Sequence, residues 1–156
     1  MASAIIDDLI LNELIDPVME TLRLVGLNET TDKYGSCLQS LLKDKYGLRN
    51  VEFNVSQCRV YGNQSPDMSS TGSRLEKIHP NIMVHQSDGS WYFINIKSAA
   101  KLTEEDEKTM LKYIRGSKKN GFPVKDTGYI INFKKSYKKE STATDFTPDI
   151  KSVKLN

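Results

Sequence analysis

A chain of 156 residues, 38% apolar and 27% charged, is sized for one domain with its own core. Its two cysteines, Cys37 and Cys58, form neither a disulfide framework nor a zinc spacing, which points to a reducing, intracellular setting. The net charge of +2 conceals an asymmetry: residues 1–32 hold seven acids against Arg23 alone, net −6, leaving +8 for the remainder, a split expected either of a nucleic-acid surface or of two opposed solvated faces.

The opening MASAIIDDLILNELIDP is rich in Ile and Leu, but Asp7, Asp8, Glu13 and Asp16 interrupt it, so it fits neither a signal-peptide core nor a membrane span. Ser3 is a cap residue for a first helix, with Asp7 and Asp8 in the early turn, where acids suit the positive helix end. Ile6, Leu9, Ile10 and Leu14 form an apolar stripe at helical spacing. Asp16-Pro17 is a second start signal, predicting a kink or restart, after which Val18, Leu22 and Val25 continue the stripe to a stop at Gly26.

Thr30, Thr31 and Asp32 are cap-type residues before a second helix over 33–46, with Tyr34, Leu38, Leu41 and Leu42 inward and Gly47 as its end. VEFNVSQCRVY, 51–61, alternates as a strand with one face toward a core. GNQSPDMSSTGSR, 62–74, has no periodicity and reads as a long loop or lid.

HPNIMVHQSDGSWYFINIKSA, 79–99, predicts two strands, 81–86 and 91–97, joined by a turn in which Asp88-Gly89 favours a hairpin. Side chains alternate across strands, so Asn81 points away from the face of Ile82 and Val84, and Asn95 and Lys97 share the face opposite Ile94 and Ile96. His79 and His85 lie about 20 Å apart on an extended strand at roughly 3.3 Å per residue, too far to chelate one ion. Trp91 and Tyr92 read as packing residues.

Thr103 caps a further helix with Asp106 in the capping-box position and Met110, Leu111, Tyr113 and Ile114 on its apolar side. Residues 116–121 then read as a basic loop, and GYIINF, 128–133, as a strand covered on both faces. From Lys134 the periodicity stops, which divides the chain into a domain over 1–133 and a basic, extended C-terminal tail over 134–156. The fold expected is α+β, a central mixed sheet flanked by helices.

The order of these elements, with several local strings, resembles the GxxExxY-type branch of the PD-(D/E)XK nuclease superfamily over roughly residues 10–135. A family segment like LGxGLLExxY matches VGLNETTDKY, 25–34, in length and setting; Tyr34 is kept, while Asn28 replaces a glycine and Thr31 the acid. The family's strand Asp corresponds to Asn81, its E-x-K glutamate to Asn95 and its helix glutamine to Thr109, whereas Lys97, Tyr113 and GYIINF remain.

The resemblance implies a restriction-endonuclease-like core whose active site is degenerate at Thr31, Asn81, Asn95, Lys97, Thr109 and Tyr113. A nuclease of this type holds Mg²⁺ with two or more carboxylates; Thr31, Asn81 and Asn95 remove about three negative charges from that site, so no catalytic residue, metal or cofactor is expected. Lys97 is then left in an electropositive pocket, either to attract a phosphate or a neighbouring carboxylate or to hydrogen-bond Asn81 or Asn95. A site migrated to Glu76, Asp88, Asp67, Glu29 or Asp32 is the opposing possibility, although Asp88 is explained by its turn and Glu76 and Asp67 by a solvated loop.

Proteins of this resemblance occur in microbes and large DNA viruses, so the expected role is that of an inactive structural or interaction module. It would sit in the cytoplasm or a virion and bind other subunits through the N-terminal helices or the C-terminal tail. Two further functions stand beside it. One is nucleic-acid binding through Lys97, Arg115, Lys118, Lys119, Lys134, Lys135, Lys138 and Lys139, and the other is an active metal-dependent nuclease.

Overall fold

Strand alternation and helical periodicity place two apolar layers on either side of one mixed sheet, in a computed structural model that describes residues 2–47, 51–53, 80–119, 121–134 and 147–156. The elements are α1 (Ala2–Val25), α2 (Thr31–Tyr46), β1 (Val51–Phe53), β2 (Ile82–His85), β3 (Trp91–Lys97), α3 (Glu104–Lys119), β4 (Thr127–Asn132) and β5 (Asp149–Lys154). Among the described residues five strands lie side by side in chain order. Only the β3–β4 pair is parallel, and α3 is its crossover; the other neighbours are antiparallel. The architecture is the α+β sheet with flanking helices that the sequence predicts.

One layer packs Ile10, Leu14, Val18 and Leu22 of α1 and Tyr34, Leu38 and Leu42 of α2 against Ile82, Val84, Tyr92, Ile94, Ile96, Tyr129 and Ile131. The other packs Met110 and Ile114 of α3 against Met83, Phe93, Ile130 and Val153. Even-numbered residues of β2 and β3 thus face α1 and α2, and odd-numbered ones face α3, as period-2 alternation requires.

Helix α1 corrects the predicted start at Ser3 and the predicted restart at Pro17. It begins at Ala2, so Ser3 lies inside it and its first turn holds no acid, and it continues through Pro17. Proline has no N–H for the carbonyl four residues back; that carbonyl, Glu13 O, instead accepts from Lys45 Nζ of α2 at 3.3 Å. Thr21 Oγ1 returns a bond to Pro17 O at 2.8 Å. Leu9, assigned to the buried stripe, is 57% exposed, because the stripe follows Ile10, Leu14, Val18 and Leu22. Gly26, at φ 93°, ends the helix with its N–H on Leu22 O, a conformation that suits a residue without Cβ.

Helix α2 is capped by Thr30, whose side chain accepts from Lys33 N, and ends at Gly47. Leu41, placed on its buried face, is half-buried. The β2–β3 hairpin turns through Asp88-Gly89, with Asp88 Oδ1 accepting the Ser90 N–H at 2.9 Å. Helix α3 has the predicted capping box: Thr103 N–H donates to Asp106 Oδ2 at 2.9 Å, and Asp106 N–H to Thr103 Oγ1 at 3.4 Å. It runs on to Lys119, so most of the predicted basic loop is helix.

The predicted tail is corrected at its end. Residues 149–154 form β5, paired with every residue of β4 from Thr127 to Asn132. Its two apolar residues stand three apart, so Ile150 meets one layer and Val153 the other, and no period-2 signal arises. The strand predicted over 51–61 is described only as β1, Val51–Phe53; its part over 54–61, the loop 62–74, Cys58, Asp67, Glu76 and His79 lie outside the described residues.

Candidate functional site

Asn81 directly precedes β2, and its side chain closes the β2–β3 ladder: Asn81 Oδ1 accepts the Ile96 N–H at 2.6 Å. The Ile82–Ile94 register puts Pro80, which has no N–H to donate, opposite Ile96. The side-chain carbonyl thus supplies an acceptor for a β3 N–H at the end of the ladder. Asn95, on the α3 face of β3, is 4% exposed, and its Oδ1 has no hydrogen-bond partner among the described residues.

Lys97 ends β3 on the same face. Its Nζ lies 3.3 Å from Asp106 Oδ1, so of the alternatives it takes the neighbouring carboxylate and not a bond to Asn81 or Asn95. Burial pushes the Asp106 carboxyl up, but the Thr103 N–H, the Lys97 ammonium and the Thr103 hydroxyl outweigh it and hold the acid below its ordinary range. One carboxylate therefore caps α3 and neutralises Lys97.

Thr109 and Tyr113 follow on α3, one turn apart and both half-buried. Thr31 lies in the other layer, at the start of α2, and no hydrogen bond joins it to Asn81, Asn95 or Lys97 among the described residues. The turn before it does reach the end of β3, where Ser98 Oγ donates to Glu29 O at 3.3 Å. Tyr34 shapes that turn: its hydroxyl donates to Gly26 O at 2.6 Å and accepts the Glu29 N–H at 3.2 Å, while its ring stacks on Phe133 at 4.2 Å. Asn28 has φ 57°, a left-handed conformation that asparagine tolerates better than most residues. The seam beyond β3 is closed by Asn132, whose amide donates to Ala99 O and accepts from Ala99 N, both at 3.1 Å.

The structure thus gathers Asn81, Asn95, Lys97 and Asp106 around the end of β3, with Thr109 and Tyr113 along the adjoining helix. Among the described residues no group of three or more His, Cys, Asp or Glu side chains is placed to hold a metal ion. Sequence reasoning saw Asp106 only as a cap. The signal for its second role was topological, since a crossover helix beginning seven residues after Lys97 starts beside the end of the strand it leaves.

The residues predicted to bind phosphate are not all alike. Lys118 pairs with Asp126 at 2.8 Å and Lys134 with Asp149 at 3.2 Å. Arg115 and Lys119 are exposed on α3, and with Lys108 and Lys112 they form a basic stripe at helical spacing. Lys135, Lys138 and Lys139 lie outside the described residues. His85 stacks on Trp91 at 4.4 Å, a packing role.

No protein-family model, curated protein or solved structure matches the chain. No helix among the described residues is long and apolar enough to cross a membrane.

Proposed function

We propose that the chain is a catalytically inactive PD-(D/E)XK-like protein serving as a structural or interaction module, with a capsid- or virion-associated role of a large DNA virus among the settings it suits. The observation that carries the reading is the Lys97–Asp106 ion pair. In a working site the lysine would assist metal-bound water and stabilise the charged phosphate; here its charge is matched by an acid already committed to capping a helix. Asn81 is likewise engaged in holding Ile96, and Asn95 offers a neutral oxygen where a metal would need an anionic one.

The test is cleavage of single- and double-stranded DNA and RNA with Mg²⁺ or Mn²⁺. The expected result is no product above that of Asn95→Ala. Metal-dependent cleavage that this substitution abolishes would overturn the reading.

The exposed stripe of Lys108, Lys112, Arg115 and Lys119 supports a second reading, nucleic-acid binding without chemistry. Such binding would fall steeply with salt through counterion release. Replacing the four by glutamine would abolish it, and no affinity for DNA or RNA at low salt would dismiss it.

A further inference from the structure

We propose that the free edge of β5 is a homodimer interface, at which β5 of a second copy of this chain pairs antiparallel about a two-fold axis at Ser152 and joins the two sheets into one. This rests on the reading of the chain as an interaction module and names the partner. β5 ends the sheet, with β4 on one side and no strand on the other among the described residues. The Leu155 N–H points inward, to Asp126 O at 2.8 Å, and continues the register of the β4–β5 pair. Bonding direction alternates along an antiparallel strand, so Asp149, Lys151 and Val153 bond to β4, while Ile150, Ser152 and Lys154 turn their N–H and C=O groups outward.

Such a row of backbone groups is a template for another strand, and proteins guard their edges with proline, bulges, short strands or charge. The centre of β5 carries no such guard. Its six residues pair with β4 without a bulge and contain no proline, and Ser152 is small and exposed. Lys151 is drawn away to Glu107 on α3 at 3.1 Å.

The residues select both the second copy and its register. A two-fold axis perpendicular to the sheet keeps each face on its own side, so residues standing opposite must share a face, and the pairing must centre on a residue. The two central residues of β5 are the candidates. Centring on Lys151 would oppose it to its own copy and set Pro148, which has no N–H, against Lys154 of the second copy. Centring on Ser152 sets Ser152 against itself and Ile150 against Lys154 of the second copy. Every outward donor then meets an outward acceptor, no like charges stand directly opposite, and the Lys154 stem covers the half-buried Ile150.

The test is sedimentation of the full chain. Wild type should be a dimer and Ser152→Pro a monomer with near-native circular dichroism, because residue 152 gives β4 no hydrogen bond and proline removes only its outward N–H. Ser152→Cys reads the register. Bonded partners have Cα atoms about 5.5 Å apart, inside the disulfide range of about 4.4–6.8 Å, so oxidised glutathione should cross-link this variant several times more than wild type, which controls for Cys37 and Cys58. Lys151→Cys, diagonal to its copy at about 7–8 Å, should not exceed wild type.

A wild-type monomer, a dimer that survives in Ser152→Pro, or cross-linking of Lys151→Cys in place of Ser152→Cys would overturn the proposal. If Ser152→Pro fails to fold, the wild-type mass and the cross-linking yields decide. None of these outcomes alters the cleavage result, so the dimer can fail while the inactive-nuclease reading stands.

Discussion

Asn81 and Asn95 stand side by side at the end of the β2–β3 ladder, yet their environments assign them opposite energetic roles. Asn81 Oδ1 satisfies a backbone donor, so Asn81→Ala should destabilise the chain by about 1–2 kcal/mol in urea unfolding. Asn95 Oδ1 is buried without a partner, a desolvation cost of about 1–3 kcal/mol. Asn95→Leu, which keeps the branched shape and the number of side-chain heavy atoms and is bordered by an apolar layer, should therefore raise the denaturation midpoint. Unchanged or lowered stability would show that the amide is satisfied. Asp106 gives a pH-dependent counterpart. Its folded pKa is lowered, so its stabilisation is present above the unfolded carboxyl's ordinary range and is lost as pH falls through the folded value. Between neutrality and about pH 3, below the ordinary aspartate pKa of about 3.9, wild type should lose more stability than Asp106→Asn. Parallel acid profiles of the two would contradict this.

At the scale of elements, α1 and α2 are coupled through a vacancy in the hydrogen-bond ladder. Pro17 leaves Glu13 O without its helical donor and Lys45 supplies one; beside it the Tyr46 hydroxyl donates to the Glu13 carboxylate, and burial together with that carboxylate pushes the phenol up to about 12. Lys45→Met should cost about 0.5–1 kcal/mol in wild type and less in Pro17→Ala, where the helix regains its own donor; a double-mutant cycle with no coupling would refute the link. This compensation was not legible in the sequence, because its partner lies 28 residues further along the chain. The predicted restart at Pro17 failed for the same reason. What could be read was local: the Thr30 cap, the Thr103–Asp106 box, the stops at Gly26 and Gly47 and the Asp88-Gly89 turn each depend on residues within one turn. The alternation of β3 also placed Asn95 and Lys97 correctly on one face. A carboxylate partner for Lys97 was among the expectations, but its identity as Asp106 was hidden because it needs the crossover, and β5 was hidden because its apolar residues serve two layers.

Across the whole molecule, β5 converts β4 from an edge into an interior strand. β4 is buried along its entire length, and its neighbour Lys134 is paired to Asp149. Removing residues 147–156 would expose the apolar edge TGYIIN, and edge strands of that kind recruit further strands. The truncated chain should elute as aggregates in size-exclusion chromatography; a stable monomer with native dichroism would show that β5 is dispensable. The two layers also differ in their chromophores. The chain's one tryptophan, Trp91, stacks on His85 and borders the α3 layer, whereas Tyr34, Tyr92 and Tyr129 lie in the layer of α1 and α2. Indole emission therefore follows one side of the sheet, and tyrosine contributions to near-ultraviolet dichroism weight the other. Coincident melting of the two signals would mean that the sheet and both layers unfold as one cooperative unit. Separated melting would identify, without any label, the side that opens first.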